Sequence, residues 1–275
     1  MKLKIMVDSS SGITQEEAIK LGIDVFPLRI IFDDKEYLDG IDIMQDEFYE
    51  KLTKEEIFPK TSLPNLYEIE KKVNIQDGYS VIILPLSKEI SGTYSALVSM
   101  MEDYENVRVI DTLTTICGLR FLVNEAIQLK VDTLDELEIK LRDLQKRIRI
   151  VAGIDTLEYL YKGGRLTKTA SLVGNVIGLK PIISVVDGKV VVLAKRRGRK
   201  HAMQYVLDKF QTSDIDERYP VYGIYSMNET NYHELYDALT EERLRKAVQN
   251  YENIAPVIGC HVGPGAYGFV YIEKE

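Results

Sequence analysis

An unbroken apolar run, Val81-Ile82-Ile83-Leu84, constrains the fold of this chain more than any other stretch. A strand with apolar side chains on both faces has to be covered on both, which places it in a parallel sheet between helices. A polar loop, Ser87-Lys88-Glu89, follows, and Ser91-Gly92-Thr93 leads into a helical pattern over residues 94–101. Strand end, loop and helix start are thus set in series. In an open α/β sheet, ligands bind beyond the carboxyl ends of the strands, and a helix N-terminus favours an anion. Ser91 also has a purely local reading, because serine is a preferred N-cap.

The stretches around it alternate. Strands are expected over residues 3–7, 25–32 and 107–110, and helices over 14–21, 44–52, 66–73, 116–129 and 134–148. This rhythm predicts a mostly parallel sheet covered on both faces. A strand over 150–154 either closes that unit or opens the next. Beyond it come a short helix over 157–161, broken at Gly163-Gly164, and a helical pattern over 169–177 stopped at Lys180-Pro181. Asp187-Gly188 between apolar runs at 182–186 and 190–193 marks a hairpin. Helices over 201–210 and 232–244, strands over 221–225, near 254–258 and over 268–272, and a glycine-rich loop starting at His261 complete the chain. The expected class is α/β in two domains: residues 1–150 with the parallel sheet, and residues 151–275 as an α+β unit.

Several functions are disfavoured. With 275 residues the chain can bury a sizeable core in two domains. Its net charge of −8 argues against a general nucleic-acid binder. Cys117 and Cys260 are too few for a disulfide framework or a zinc cluster, which fits a reducing cytoplasm. The apolar part of MKLKIMVDSSSG is too short for a signal peptide, and no run reaches the length of a membrane span. A cytoplasmic protein without stable membrane insertion is expected. Gly263-Pro264-Gly265-Ala266-Tyr267-Gly268 matches G-x-G-x-x-G but lacks the helix, strand and acidic residue of a dinucleotide site. There is no Walker A sequence and no G-x-S-x-G elbow, and His201, His233 and His261 lack metal-ligand spacing. No cofactor or metal is expected. Asp8 and Asp111, which follow strands, can be read as catalytic carboxylates, but loop-end aspartates more often cap turns or helices.

Three loops of small residues carry hydroxyls: Ser9–Ser11, Thr61-Ser62 and Ser91–Thr93. His261 joins them from far along the chain. Hydroxyls donate and accept, and a neutral histidine donates one N–H. Such a set suits a carboxylate or phosphate held without a large countercharge, since a buried carboxylate needs donors. Three capped turns and a loop histidine would look the same by spacing. A Ser91–His261 nucleophile, and with it an acyl or phosphoryl transferase or hydrolase, is the alternative; the sequence shows no acid to orient the histidine.

Val7-Asp8-Ser9-Ser10, Lys60-Thr61-Ser62-Leu63-Pro64, Ile90-Ser91-Gly92-Thr93-Tyr94, Lys162-Gly163-Gly164-Arg165-Leu166, Gly178-Leu179-Lys180-Pro181-Ile182 and His261-Val262-Gly263-Pro264-Gly265 run in this order along the chain. In order and spacing they resemble the DegV family nearly from end to end. Leu63, where that family often has Gln, and Lys88-Glu89, where it often has a Ser-Gly-type pair, depart from the pattern. The resemblance implies a two-domain α/β protein that binds one long-chain fatty acid between its domains. It also implies a partner, an ATP-dependent kinase subunit that phosphorylates the bound carboxylate to an acyl phosphate for phospholipid metabolism. Catalytic residues of its own are then not expected. Carried over by motif, Thr61 and Ser91 bind the carboxylate and His261 is the third polar contact. Ser62, Gly92, Thr93, Ser9 and Ser10 belong to the same loops, and Arg165 is near the site or structural. Tail burial contributes about 0.8 kcal/mol per methylene; residues 121–129 and 172–179 are candidate lining, with ordinary core as the expected role of most of them. Arg196, Arg197 and Arg199, in the one dense basic run, form either a partner-docking patch or a solvated surface.

Overall fold

The computed structural model describes residues 2–54, 57–74, 78–166 and 178–275. In chain order its strands are β1 (Leu3–Asp8), β2 (Asp24–Phe26), β3 (Arg29–Phe32), β4 (Lys35–Leu38), β5 (Lys60–Ser62), β6 (Ser80–Leu84) and β7 (Val107–Val109), then β8 (Ile148–Gly153), β9 (Leu179–Val186), β10 (Lys189–Arg197), β11 (Val221–Tyr225), β12 (Val248–Asn253) and β13 (Tyr267–Ile272). β2, β1, β6 and β7 lie side by side, all parallel, with Ile5 opposite Ile82 and Val81 opposite Val107. The apolar run of β6 is fully buried. Because side chains alternate across a strand, Val81, Ile83 and Met6 pack with Ile69, Val73 and Leu97 of the helices Leu66–Asn74 and Thr93–Met100. Ile82, Leu84, Ile5 and Val7 face the other way, onto Leu119, Leu122 and Val123 of the helix Cys117–Gln128.

A second sheet has six strands in the order β10-β9-β8-β13-β11-β12, antiparallel except for the β11–β12 pair. One face packs Val151, Ile182 and Phe269 against the helix Arg199–Gln211, where Phe210 stacks on Phe269 at 4.2 Å between ring centroids. The opposite face, with Ile150, Ala152, Ile183, Ile224 and Val270, joins the same apolar core as the first sheet. A small antiparallel sheet, β4-β3-β5, sets Thr61 opposite Ile30.

Four expectations are corrected. The strand expected over 25–32 is two strands in different sheets, β2 and β3, separated at Pro27, which has no N–H to donate to a ladder. The helix expected over 134–148 stops at Gln145, and Ile148 already begins β8 in the second sheet. The pattern over 232–244 divides into the helices Thr230–Asp237 and Glu242–Ala247. The strand near 254–258 is instead β12, upstream, followed by a helix Pro256–Val262 that opens on proline, a residue suited to a first helical position. His261 therefore sits in the last turn of a helix, not in a loop. The helical pattern over 169–177 lies outside the described residues.

That terminal helix crosses back over the first half of the chain. It packs on the helix Gln45–Lys54, on β3 and β5, and on the short helix Glu158–Lys162. The approach is close at Gly259, where a Cβ would meet Phe48 Cε1 at 2.6 Å and Tyr49 Oη at 2.7 Å. Tyr49 is itself pinned, donating to the Ile254 carbonyl at 3.0 Å. Gly259→Ala is expected to destabilise the protein by about 1–3 kcal/mol, the usual cost of overpacking, measured as a lowered midpoint in urea with unchanged slope.

Candidate functional site

Three elements far apart in sequence converge on one cavity. Thr61 comes from β5, Ser91 and Gly92 from the loop after β6, and His261 from the helix Pro256–Val262. They share the cavity with Leu28, Ser62, Leu63, Leu86, Ile90, Arg165, Val257 and Ile258, around about 660 Å³ of space including its open side. A second volume, about 620 Å³ on the same measure, adjoins it and is lined mainly by isoleucine and valine from the inward face of the six-stranded sheet. Ile90, Arg165, Ile258 and His261 line both, so the polar cavity and the apolar slot meet at these four residues.

His261 Nε2 lies 3.0 Å from Thr61 Oγ1, a contact between residues 200 apart in sequence. The imidazole is buried, and burial followed by the charge of Arg165 pushes its pKa down to about 3. It is therefore neutral at ordinary pH. Nδ1 is buried without a hydrogen-bond partner. Gly163 presses on that nitrogen so closely that a Cβ there would stand 2.2 Å from it. The first glycine of Lys162-Gly163-Gly164-Arg165 is thus explained by space for the ring.

Ser91 lines the cavity from one residue before the helix N-cap, which is Gly92. Its Oγ accepts from the Thr93 N–H at 3.3 Å and shares a hydrogen bond with Thr93 Oγ1 at 2.9 Å, at the start of the helix Thr93–Met100. The expected N-cap is therefore corrected: Gly92 holds that position with no side-chain cap, and Ser91 only accepts from the Thr93 N–H.

Arg165 donates from Nε to the Ile90 carbonyl at 3.0 Å and from Nη1 to the Gly163 carbonyl at 2.6 Å. It is half-buried, and burial lowers its pKa. Among the described residues no carboxylate pairs with it. A partly desolvated cation beside a neutral imidazole and several hydroxyls leaves this cavity short of one negative charge. Chemically, it can take a carboxylate. This revises the picture of a head group gripped only by uncharged side chains.

The remaining candidates fall elsewhere. Ser9, Ser10 and Thr93 are buried with their hydroxyls bonded inside the protein: Ser9 donates to Asp39, Ser10 to Asp8, and Thr93 pairs with Ser91. None of the three lines the polar cavity. The slot is lined by Ile150, Ile154, Ile183, Val190 and Ile224, among others, and not by residues 121–129; of residues 172–179 only the last two are described, and neither lines it. The charges of Lys88 and Glu89 are paired, with Asp111 and Lys189, both at 3.5 Å. Arg199 is committed internally, donating to Asn231 and pairing with Glu234 at 2.9 Å. Arg196 lies over the Tyr205 ring at 4.7 Å, while Arg197 is exposed. A Ser91–His261 pair is not assembled: Nε2 faces Thr61, and no carboxylate orients Nδ1. Among the described residues no group of His, Cys, Asp and Glu could hold a metal ion, and no helix is long and apolar enough to cross a membrane.

Fold and site together define an α/β protein whose two main sheets share one core, with a polar cavity suited to an anion beside a mostly apolar slot. The chain belongs to the DegV family: the model described as "Uncharacterised protein, DegV family" matches residues 2–274. A DegV domain-containing protein of Caldanaerobacter subterraneus subsp. tengcongensis is 34% identical, with 99% of each chain covered. Among solved structures, a fatty-acid-binding DegV family protein from Streptococcus agalactiae is similar with a TM-score of 0.88 at 27% identity, 100% of each chain covered. A stearic acid-binding protein from Eubacterium ventriosum is similar with a TM-score of 0.86 at 26% identity, covering 100% of this chain and 99% of that one.

The depressed pKa of His261 has a measurable sign. The folded state binds fewer protons than the unfolded chain between about pH 3 and the ordinary histidine value near 6.5, so this group's contribution to stability is lost as pH falls through that window. In ligand-free protein the His261 ring is expected to stay neutral from pH 8 down to about 4 by NMR. Arg165→Gln should move its midpoint upward. A ring titrating near 6.5 would contradict the burial.

Proposed function

We propose that this protein binds one long-chain fatty acid, tail in the apolar slot and carboxylate in the polar cavity, and presents it to a separate ATP-dependent kinase subunit that forms the acyl phosphate. One observation carries the reading: the cavity at Arg165, where no carboxylate among the described residues pairs with that cation, adjoins a slot whose wall is mostly apolar, with Thr115 and Ser184 as its further polar members. About fifteen methylenes at about 0.8 kcal/mol each give a gross contribution near 12 kcal/mol, from which association and ordering costs are subtracted. Affinity then resides in the tail, and Thr61, Ser91, His261 and Arg165 need only select and orient a carboxylate. The structural neighbours described as fatty-acid binders support the same ligand class.

In this reading residues 1–150 supply the hydroxyl loops and residues 151–275 the histidine and most of the slot. Ser62 and Gly92 are exposed at the cavity rim, so the head group lies where a second protein can reach it. The protein works in the cytoplasm, where ATP and such a subunit would be found, and contributes no nucleophile of its own. With Arg199 tied to Glu234, the docking role in the basic run is left to Arg196 and Arg197.

Mass spectrometry of an organic extract of the purified protein tests the ligand class, and a fatty acid in near-stoichiometric amount is expected. Thr61→Val should weaken binding about 3- to 10-fold and Arg165→Gln about 10- to 100-fold, from the usual worth of neutral and charged hydrogen bonds. A protein without extractable lipid that turns over an ester by itself would overturn the proposal. For the partner, Arg196→Glu with Arg197→Glu should lower the rate of acyl phosphate formation with the kinase subunit while leaving fatty-acid affinity unchanged; an unchanged rate rules the docking patch out.

A further inference from the structure

Behind the polar cavity lies a second polar cluster that fatty-acid binding does not use directly. Asp8, at the end of β1, and Asp39, just after β4, are both buried. Ser9 Oγ donates to Asp39 Oδ2 at 2.6 Å and accepts from the Leu28 N–H at 3.1 Å. The Asp39 N–H in turn donates to the Leu28 carbonyl at 3.0 Å. Asp8 accepts from the Ser10 N–H at 2.9 Å, from the Ser10 hydroxyl and, at 2.6 Å, from the Leu86 N–H. The Val257 amide, in the first turn of the helix that carries His261, acts on the Asp39 carboxyl from just outside hydrogen-bond geometry, and Asp39 Oδ1 has no partner.

Leu28, Leu86 and Val257 are themselves part of the cavity wall. Each belongs to a different element of the site. Leu28 leads into β3, the strand that pairs with the one holding Thr61. Leu86 starts the loop that ends in Ser91. Val257 begins the turn below His261.

We propose that Asp8, Ser9 and Asp39 are positioning residues for the head-group site, fixing the three backbone walls from which Thr61, Ser91 and His261 converge, and that a proton on Asp39 is part of that arrangement. The Val7-Asp8-Ser9-Ser10 motif, whose serines do not reach the cavity, acquires a role in this way. The groups facing Asp39 are the Asp8 carboxyl, the Ser9 and Tyr49 hydroxyls, the Cys260 thiol and the Val257 amide. Among the described residues no cation pairs with either carboxyl. Burial, opposed by the Ser9 hydroxyl and the nearby Val257 amide and reinforced by Asp8, pushes Asp39 up to about 7; burial pushes Asp8 up to about 6. The folded protein thus holds more protons than the unfolded chain, and the stability these groups contribute is lost as pH rises toward about 7. A carboxylate bound on the other side of the wall adds negative charge, favours protonated Asp39 further, and so takes up a proton on binding.

The test rests on the fatty-acid reading for one of its two readouts and uses palmitate as the probe. Wild-type affinity should fall as pH rises from 6 to 8. Asp39→Asn, which keeps an acceptor oxygen for Ser9 but carries no titratable proton, should bind as wild type at pH 6 and lose that dependence. Asp39→Ala should bind roughly tenfold more weakly at pH 6. The second readout needs no ligand: with only three histidines in the chain, the His261 ring signal can be followed by NMR, and it should move in folded Asp39→Ala. An Asp39→Asn protein with the wild-type pH profile overturns the role of the proton. An Asp39→Ala protein with unchanged affinity and an unchanged His261 signal overturns the network. Failure of the wild type to bind palmitate overturns the fatty-acid reading instead, and the ligand-free His261 signal then decides the network alone.

Discussion

The 3.0 Å contact between Thr61 and His261 is the point on which the site depends. It exists only because the helix Pro256–Val262, coded near the end of the chain, lies across elements from its first quarter. Three glycines allow that crossing at close range: Gly259 against Phe48 and Tyr49, Gly163 against the imidazole, and Gly263 against the Tyr159 ring, the last at a φ of +72° that glycine adopts without strain. Burial then sets the chemistry of the ring. Stripped of water and beside Arg165, it is held neutral, so it offers one donor and one acceptor and adds no charge.

Charge in the cavity therefore comes from Arg165, and a second buried arginine shows what is unusual about it. Arg120 is held by the Ser11 and Gly12 carbonyls and by two carboxylates, Glu17 of the helix Gln15–Leu21 and Glu252 of β12, which tie the helix Cys117–Gln128 to both elements. Desolvating a guanidinium is costly, and in that case the protein supplies its own anions. Arg165 is given two carbonyls and, among the described residues, no carboxylate. An external anion completes the same pattern. The wall opposite is apolar, so an anion with a long hydrocarbon chain is complementary to both halves of the space at once.

The legible parts of the chain were those governed by local chemistry. The apolar run at β6 announced a strand buried on both faces, and its side chains alternate between two cores as the pleat requires. Asp187-Gly188 announced the β9–β10 hairpin. Thr61, Ser91 and His261 could be named from their motifs. A lone arginine such as Arg165 says nothing in a sequence of whether a carboxylate lies beside it. A hydroxyl in a loop looks the same whether it faces a cavity or a buried aspartate, as Ser9 and Ser10 do. Asp39, bridged to Ile43, is not among the candidate residues of the sequence. Near the end of the chain the periodicity misled: Pro256 starts a helix just where a strand was expected.

The amino-acid sequence by itself determined the parallel α/β beginning, the change of rhythm after about residue 150 and the identity of the hydroxyls and histidine, since propensity, pattern and turn chemistry act over a few residues. Only the tertiary structure decided which of these polar groups meet, which cation has no carboxylate beside it among the described residues, and which face of the six-stranded sheet lines a slot. Those outcomes depend on distances between residues up to 200 apart, and on whether water has been excluded between them, and neither quantity is local to any stretch of the chain.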